Sequence, residues 1–195
     1  MNTIKFQTVA NYIKKNAEQG NFSGDTARKL VDGDIVLRDN VEYVRREVTA
    51  GGRVDLIKSG DDESIGVSSF VGNKLEKHIN HVITAMRVAF ASNAASSKSS
   101  ELAYKNDAAT VPAGLQSSHI VIEQDSKILL KLPISAFVRP ANEADSAFTE
   151  LAAFILLKEE VPFKIAIEFP DVVTLGADKH YIEVALKGKI GRAHV

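Results

Sequence analysis

Two stretches near the C-terminus alternate apolar and polar residues with a period of two, and no other feature of this sequence limits the fold as sharply. Phe163, Ile165, Ile167 and Phe169 alternate with Lys164, Ala166 and Glu168, and Pro170 closes the run. Ile182, Val184 and Leu186 alternate with Glu183, Ala185 and Lys187. Successive side chains of an extended chain point to opposite faces, so each run offers one face to a core and one to water or a neighbour. Ile128, Leu130 and Leu132, alternating with Lys127 and Lys131, repeat the pattern after the turn Gln124-Asp125-Ser126, and Ile120-Val121-Ile122 precedes that turn. Pro133 and Pro140 bracket an irregular link. These are the marks of half-buried antiparallel strands.

Upstream the pattern is more mixed. Ile35-Val36-Leu37 is a short apolar run, Val41 to Val48 is β-branched enough for a strand, and Ile65 to Val71 is another strand candidate. Gly51-Gly52 and Ser59-Gly60-Asp61-Asp62 break the chain between them. Leu75 to Phe90 fits a helix by Leu75, Ile79, Val82, Ile83, Met86 and Phe90, and a strand by Val82, Thr84, Met86, Val88 and Phe90. Its β-branched content favours a strand from Ile79. Phe148 to Leu157 fits either element equally, with Asp145 or Ser146 as a cap if helical. The Ala/Ser-rich tract from Ala91 to Ser100 reads as a surface loop that runs on to Ser117, long enough to hide a short helix. About eight strand candidates between Val41 and Ile190 predict a mainly β fold, an antiparallel β-sandwich of the jelly-roll kind.

The first segment differs. Phe6, Val9, Tyr12 and Ile13 recur at helical spacing, Thr3 is placed to cap the start and Gly20 to stop it. Asn21 to Asp25 is a turn, and a short second helix covers Thr26 to Val31. The chain therefore divides into a helical N-terminal arm, residues 1–34, and a β-sandwich domain, residues 35–195. The arm's apolar stripe has two equal destinations, its own domain or a neighbouring subunit.

Composition excludes several kinds of chemistry. With no cysteine among 195 residues, disulfides, thiolate catalysis and cysteine-based zinc sites are ruled out. Lys and Arg number 24 against 25 Asp and Glu, a balance that gives no global reason to bind nucleic acid or an anionic membrane. The opening Met-Asn-Thr-Ile-Lys-Phe-Gln lacks the apolar run of a secretory signal, so synthesis in the cytoplasm is expected. There is no Trp, which leaves stacking platforms for sugars or single strands poorly supplied.

The candidate chemical groups are sparse. His78 and His81, three apart, would share a metal on a helix but would face opposite ways on a strand. His119, His180 and His194 are scattered and read as solvated. Asp61, Asp62 and Glu63 are adjacent rather than alternating, a solvated turn more than a calcium loop. Gly24 and Gly33 build no phosphate loop, and no nucleophile elbow is present. Glu168 and Glu183 fall on outer strand faces. No catalytic, cofactor-binding or metal-binding residue is therefore assigned, no cofactor is expected, and the chain is expected not to be an enzyme.

From about Ser117 to Ile190 the chain resembles jelly-roll virion proteins of tailless, membrane-containing single-stranded-DNA phages of the FLiP type. The residues that carry the resemblance are Ser118-His-Ile-Val-Ile-Glu123, Lys127-Ile-Leu-Leu-Lys-Leu-Pro-Ile134, Val161-Pro-Phe-Lys-Ile-Ala-Ile-Glu-Phe-Pro170 and His180-Tyr-Ile-Glu-Val-Ala-Leu-Lys-Gly188. They span a little over a third of the chain. The resemblance implies a structural capsid protein of a bacteriophage virion, acting by self-assembly, with copies of itself, other virion proteins and an internal membrane as candidate partners and the virion as its location. Major capsid proteins of that family usually carry two jelly rolls, whereas the helical first third here leaves room for one. The major capsid role and a vertex, penton or other minor role both stay open. The alternative is a ligand- or carbohydrate-binding β-sandwich module.

Overall fold

A computed structural model of the chain describes residues 3–32, 35–93, 98–140, 147–176 and 178–193. Two helices lead, α1 (Thr3–Glu18) and α2 (Gly24–Asp32). Eight strands follow: β1 (Ile35–Val48), β2 (Arg53–Asp55), β3 (Ile79–Asn93), β4 (His119–Gln124), β5 (Lys127–Pro133), β6 (Thr149–Leu157), β7 (Phe163–Glu168) and β8 (Lys179–Ala193). A one-turn helix α3 (Ala113–Gln116) sits in the long connection before β4, and a 3₁₀ turn (Ile134–Phe137) fills the link between Pro133 and Pro140. Every strand pairing is antiparallel. The strands form two sheets, in the orders β1-β8-β3-β6 and β2-β7-β4-β5. Apart from the β4-β5 hairpin, sheet neighbours come from distant parts of the chain, the strand order of a jelly roll. Among the described residues no helix is long and apolar enough to cross a membrane.

The alternation in β7 and β8 sets the core. Phe163, Ile165 and Ile167 from the second sheet face Ile182, Val184 and Leu186 from the first, joined by Val44, Ile83, Met86 and Val88 on one side and Leu56, Ile120 and Ile122 on the other. Phe137, Ile134 and Leu115 close one end of this layer. All of these are buried, and each contributes roughly 1.5–3 kcal/mol on leaving water. The sandwich interior is filled with side chains.

The helical stripe packs on its own domain. Val9, Ile13 and Phe22 cover Val82 and Leu156 on the outer face of the first sheet. The Tyr12 ring meets Phe154 edge-on at 5.5 Å, and its hydroxyl donates to the Phe154 carbonyl. The Thr3 and Phe6 side chains, and Asp145 and Ser146, lie outside the described residues.

Several expectations are corrected. α2 begins at Gly24 rather than Thr26, because the Ser23 carbonyl accepts from the Ala27 amide and its hydroxyl from the Thr26 amide, which makes Ser23 the cap. Ile65–Val71 is not a strand. Ser64 and Ser68 close a tight turn with Gly66 at φ 82°, and Val67 and Ser69 then bond to the edge of β1. The missing strand is β2, three residues beyond the Gly51-Gly52 turn, paired to β7 through Val54 and Ile167. β3 runs on through Ala91 into the tract expected to be a loop. Phe148–Leu157 resolves to strand β6, starting at Thr149.

In β5 the register shifts opposite Ile122 and Glu123. Leu130 stays beside Ile122, facing inward, but Ile128 falls beside Glu123 on the outer face, where it is 60% exposed. An extra residue, Leu129, breaks the simple alternation, as a β-bulge does. A second irregularity lies in β3 between Ile83 and Ala85. There Gly188 of β8 passes so close that a Cβ on it would meet the Val82 carbonyl oxygen at 1.9 Å.

Candidate functional site

The outer faces of the two sheets carry the charged side chains. On the first sheet, Arg45 of β1 lies directly opposite Glu183 of β8 in the ladder. The same parity that points Val44, Val184 and Val88 inward points Arg45, Glu183 and Arg87 outward. Arg45 Nε donates to Glu183 Oε2 at 2.7 Å, and Arg87 donates to Glu183 Oε1. The Glu183 side chain is only 7% exposed, although it sits on an outer face, because residues 99–107 fold across it. Tyr104 and Leu102 pack on Ala89, Ala91 and Tyr181 there. Lys105 exchanges both backbone hydrogen bonds with Phe90, which fixes this cover along β3.

The cover itself is tied to the charges. Arg87 Nη2 donates to the Tyr104 carbonyl at 2.8 Å, and Arg45 Nη1 donates to the Gly66 carbonyl at 2.9 Å. The Arg45 guanidinium stands 4.8 Å from the Tyr104 ring centre and 5.4 Å from that of Tyr43, within cation–π range of both. Burial pushes the Tyr104 phenol well above its ordinary range, with Arg45 opposing and Glu183 adding to the rise. The Tyr104 hydroxyl remains a donor, to the Ser99 carbonyl.

Beside this cluster is an open depression of about 330 Å³, floored by Arg45, Arg87 and Glu183 and walled by Val41, Tyr43 and Tyr104. Phe148 lines its far side. Lys187 Nζ stands 5.5 Å above the Phe148 ring, and Lys187 is the ladder partner of Val41. Its rim is therefore cationic and its walls largely apolar, an arrangement suited to holding an apolar side chain next to a carboxylate. Sequence reasoning did not assemble it. Parity alone puts all three charges on the outer face, but only the register shows that they meet.

The second sheet has no such cover in the described residues. Arg53 makes a bidentate pair with Glu123 at 2.8 and 2.9 Å and reaches Glu168 at 3.3 Å, while Lys131 donates to Glu168 at 2.6 Å. Hydrogen bonding to Arg53 holds the Glu123 carboxyl below its usual range, and the Arg53 guanidinium is correspondingly raised. Glu168 thus lies on the outer face as expected.

The histidines separate. His78 precedes β3 with φ 65°, and its amide donates to Glu159. Its Nδ1 is 3.7 Å from Asp25 Oδ2 and 3.9 Å from Glu159 Oε2. His81 is fully buried on β3, its ring nitrogens without a hydrogen-bond partner, and burial lowers its pKa to about 4. The two are not brought to one point, and among the described residues no group of three or more His, Cys, Asp or Glu is placed to hold a metal ion. Glu159 anchors α2 instead. Burial would raise its carboxyl, but hydrogen bonds from Thr26, His78 and Ser23 hold it below the ordinary value.

His180 is a correction. It faces inward from β8, is buried, and stacks on Phe90 at 5.7 Å, rather than standing in solvent. His119 is half-buried, and His194 lies outside the described residues. Of the three adjacent acids, Asp62 and Glu63 are exposed, while Asp61 accepts from Arg46 and from the Lys58 amide. No protein-family model matches the chain, and neither does any curated protein.

Proposed function

We propose that this chain is a structural building block of a bacteriophage virion, a capsid protein that works by self-assembly rather than by catalysis. The observation that carries the reading is the eight-strand roll, β1-β8-β3-β6 over β2-β7-β4-β5, with its interior packed by large apolar side chains. A roll filled in this way keeps its working surfaces outside. The resemblance of residues 117–190 to phage virion proteins points the same way; a single roll is one fewer than major capsid proteins of that family usually carry, which weighs toward a vertex, penton or other minor subunit over a major one. On this reading the chain is made in the host cytoplasm, its partners are copies of itself and other virion proteins, and an internal membrane is a neighbour of the shell.

Size-exclusion chromatography with light scattering, followed by electron microscopy of the assembled fraction, tests it. Closed or ring-like assemblies of the full chain, or its location in the shell of a native particle, are the expected result. A strictly monomeric protein that binds a soluble sugar or other small ligand would overturn the proposal.

A further inference from the structure

The tight turn after the acidic triplet and the depression on the first sheet lie side by side, and their surfaces are complementary. Ile65 is 94% exposed, the most exposed of the large apolar side chains among the described residues. The turn is held from several sides. Ser64 and Ser68 pair with each other, the Gly66 amide donates to the Tyr43 hydroxyl, and the Gly66 carbonyl accepts from Arg45. These bonds anchor the turn to the two residues that floor and wall the depression, while Ile65 is not among its lining residues and stands in solvent. Ahead of Ile65 stand the exposed carboxylates of Asp62 and Glu63. The surface thus carries an acidic knob with an apolar tip, and next to it a depression of about 330 Å³ with largely apolar walls, Arg45 in its floor and Lys187 over the Phe148 ring on its far side.

We infer that the depression bounded by Val41, Tyr43, Phe148 and Lys187 receives the Glu63–Ile65 tip of a second copy of this chain. Charge complementarity selects that occupant: the Glu63 carboxylate meets the Lys187 ammonium while the Ile65 side chain covers Val41, itself 45% exposed. The inference rests on the self-assembly reading and names the contact through which it operates.

The test uses the full chain and four variants built from three surface changes, with sedimentation velocity across a concentration series as the readout and circular dichroism as the folding control. Ile65→Ser, Glu63→Lys and Lys187→Glu each weaken association by about tenfold or more, with unchanged circular dichroism. The double variant Glu63→Lys/Lys187→Glu restores the pair with its signs exchanged and recovers most of the wild-type association. If wild type associates but the single variants associate equally well, or the double variant is no better than the singles, this contact is wrong while self-assembly stands. If wild type is monomeric at every concentration, both the contact and the self-assembly reading are overturned.

Discussion

The two sheets share one inner-face rule and differ on their outer faces. Both send large aliphatic side chains into the common core from every second position. The first sheet is then covered again, by α1 and α2 at one end and by residues 99–107 at the other, so the charges beneath that second cover are nearly dry: Arg87 is 11% and Glu183 7% exposed. The outer charges of the second sheet, Arg53, Glu123, Glu168 and Lys131, stay wet. The same type of ion pair therefore has different weight in the two places. Removing one member of a desolvated cluster strands the others, whereas an exposed pair exchanges its partner for water.

The largest effect tests the rule the sheets share. Ile167→Asp places a carboxylate in the fully buried core, a cost on the order of 5 kcal/mol that consumes the stability of a domain of this size. The expected protein is insoluble or lacks a cooperative melting transition. A soluble Ile167→Asp protein with native circular dichroism would reverse the inward face of β7.

The next tests the covered sheet. Glu183→Ala leaves the Arg45 and Arg87 guanidinium groups against each other under Tyr104, with an expected loss of about 3 kcal/mol in denaturant unfolding. A loss below about 1 kcal/mol would mean that water reaches the cluster freely.

His81 gives an effect of comparable or smaller size, spread over pH. Its folded pKa of about 4 lies below the ordinary histidine value of 6.5, so the unfolded chain binds the proton first. Stability is complete above pH 6.5 and falls as pH drops toward 4, by at most about 3 kcal/mol. His81→Leu should flatten that slope in unfolding midpoints measured between pH 7 and 4; an unchanged slope would assign it to other groups. The smallest effect belongs to the bare sheet. Glu168→Ala should cost less than about 1 kcal/mol, and less still in high salt. A loss equal to that of Glu183→Ala would erase the distinction between the sheets.

What the sequence made legible follows from how local each signal is. β7 and β8 declare themselves because large apolar inner residues alternate at every step with charged residues or alanine. The helical arm shows in Val9, Tyr12 and Ile13 for the same reason, with a different period. β2 is hidden because three residues carry no period and two glycines precede them. Ile65–Val71 reads as a strand by composition, but Gly66 turns it back on itself. The misplacement of Ile128 traces to one extra residue, Leu129, which reverses the parity of everything before it. The candidate site was out of reach for a different reason. Arg45, Arg87 and Glu183 are widely separated in sequence, and the cover that dries them, Leu102 and Tyr104, lies in a stretch with neither a helical nor a strand period. Their shared parity was available; their meeting depended on register.

The register shift in β5 also governs how this protein avoids the wrong kind of company. β5 is the outermost strand of its sheet, with one row of backbone groups not engaged by β4. A straight, apolar edge of that sort invites another chain to add itself as a further strand, without limit and without geometry. Here the bulge at Leu129 bends the edge, Lys127 and Lys131 stud it with like charge, and Pro133 supplies no amide at its end. Fibre-like growth is discouraged while the molecule is still alone and newly made.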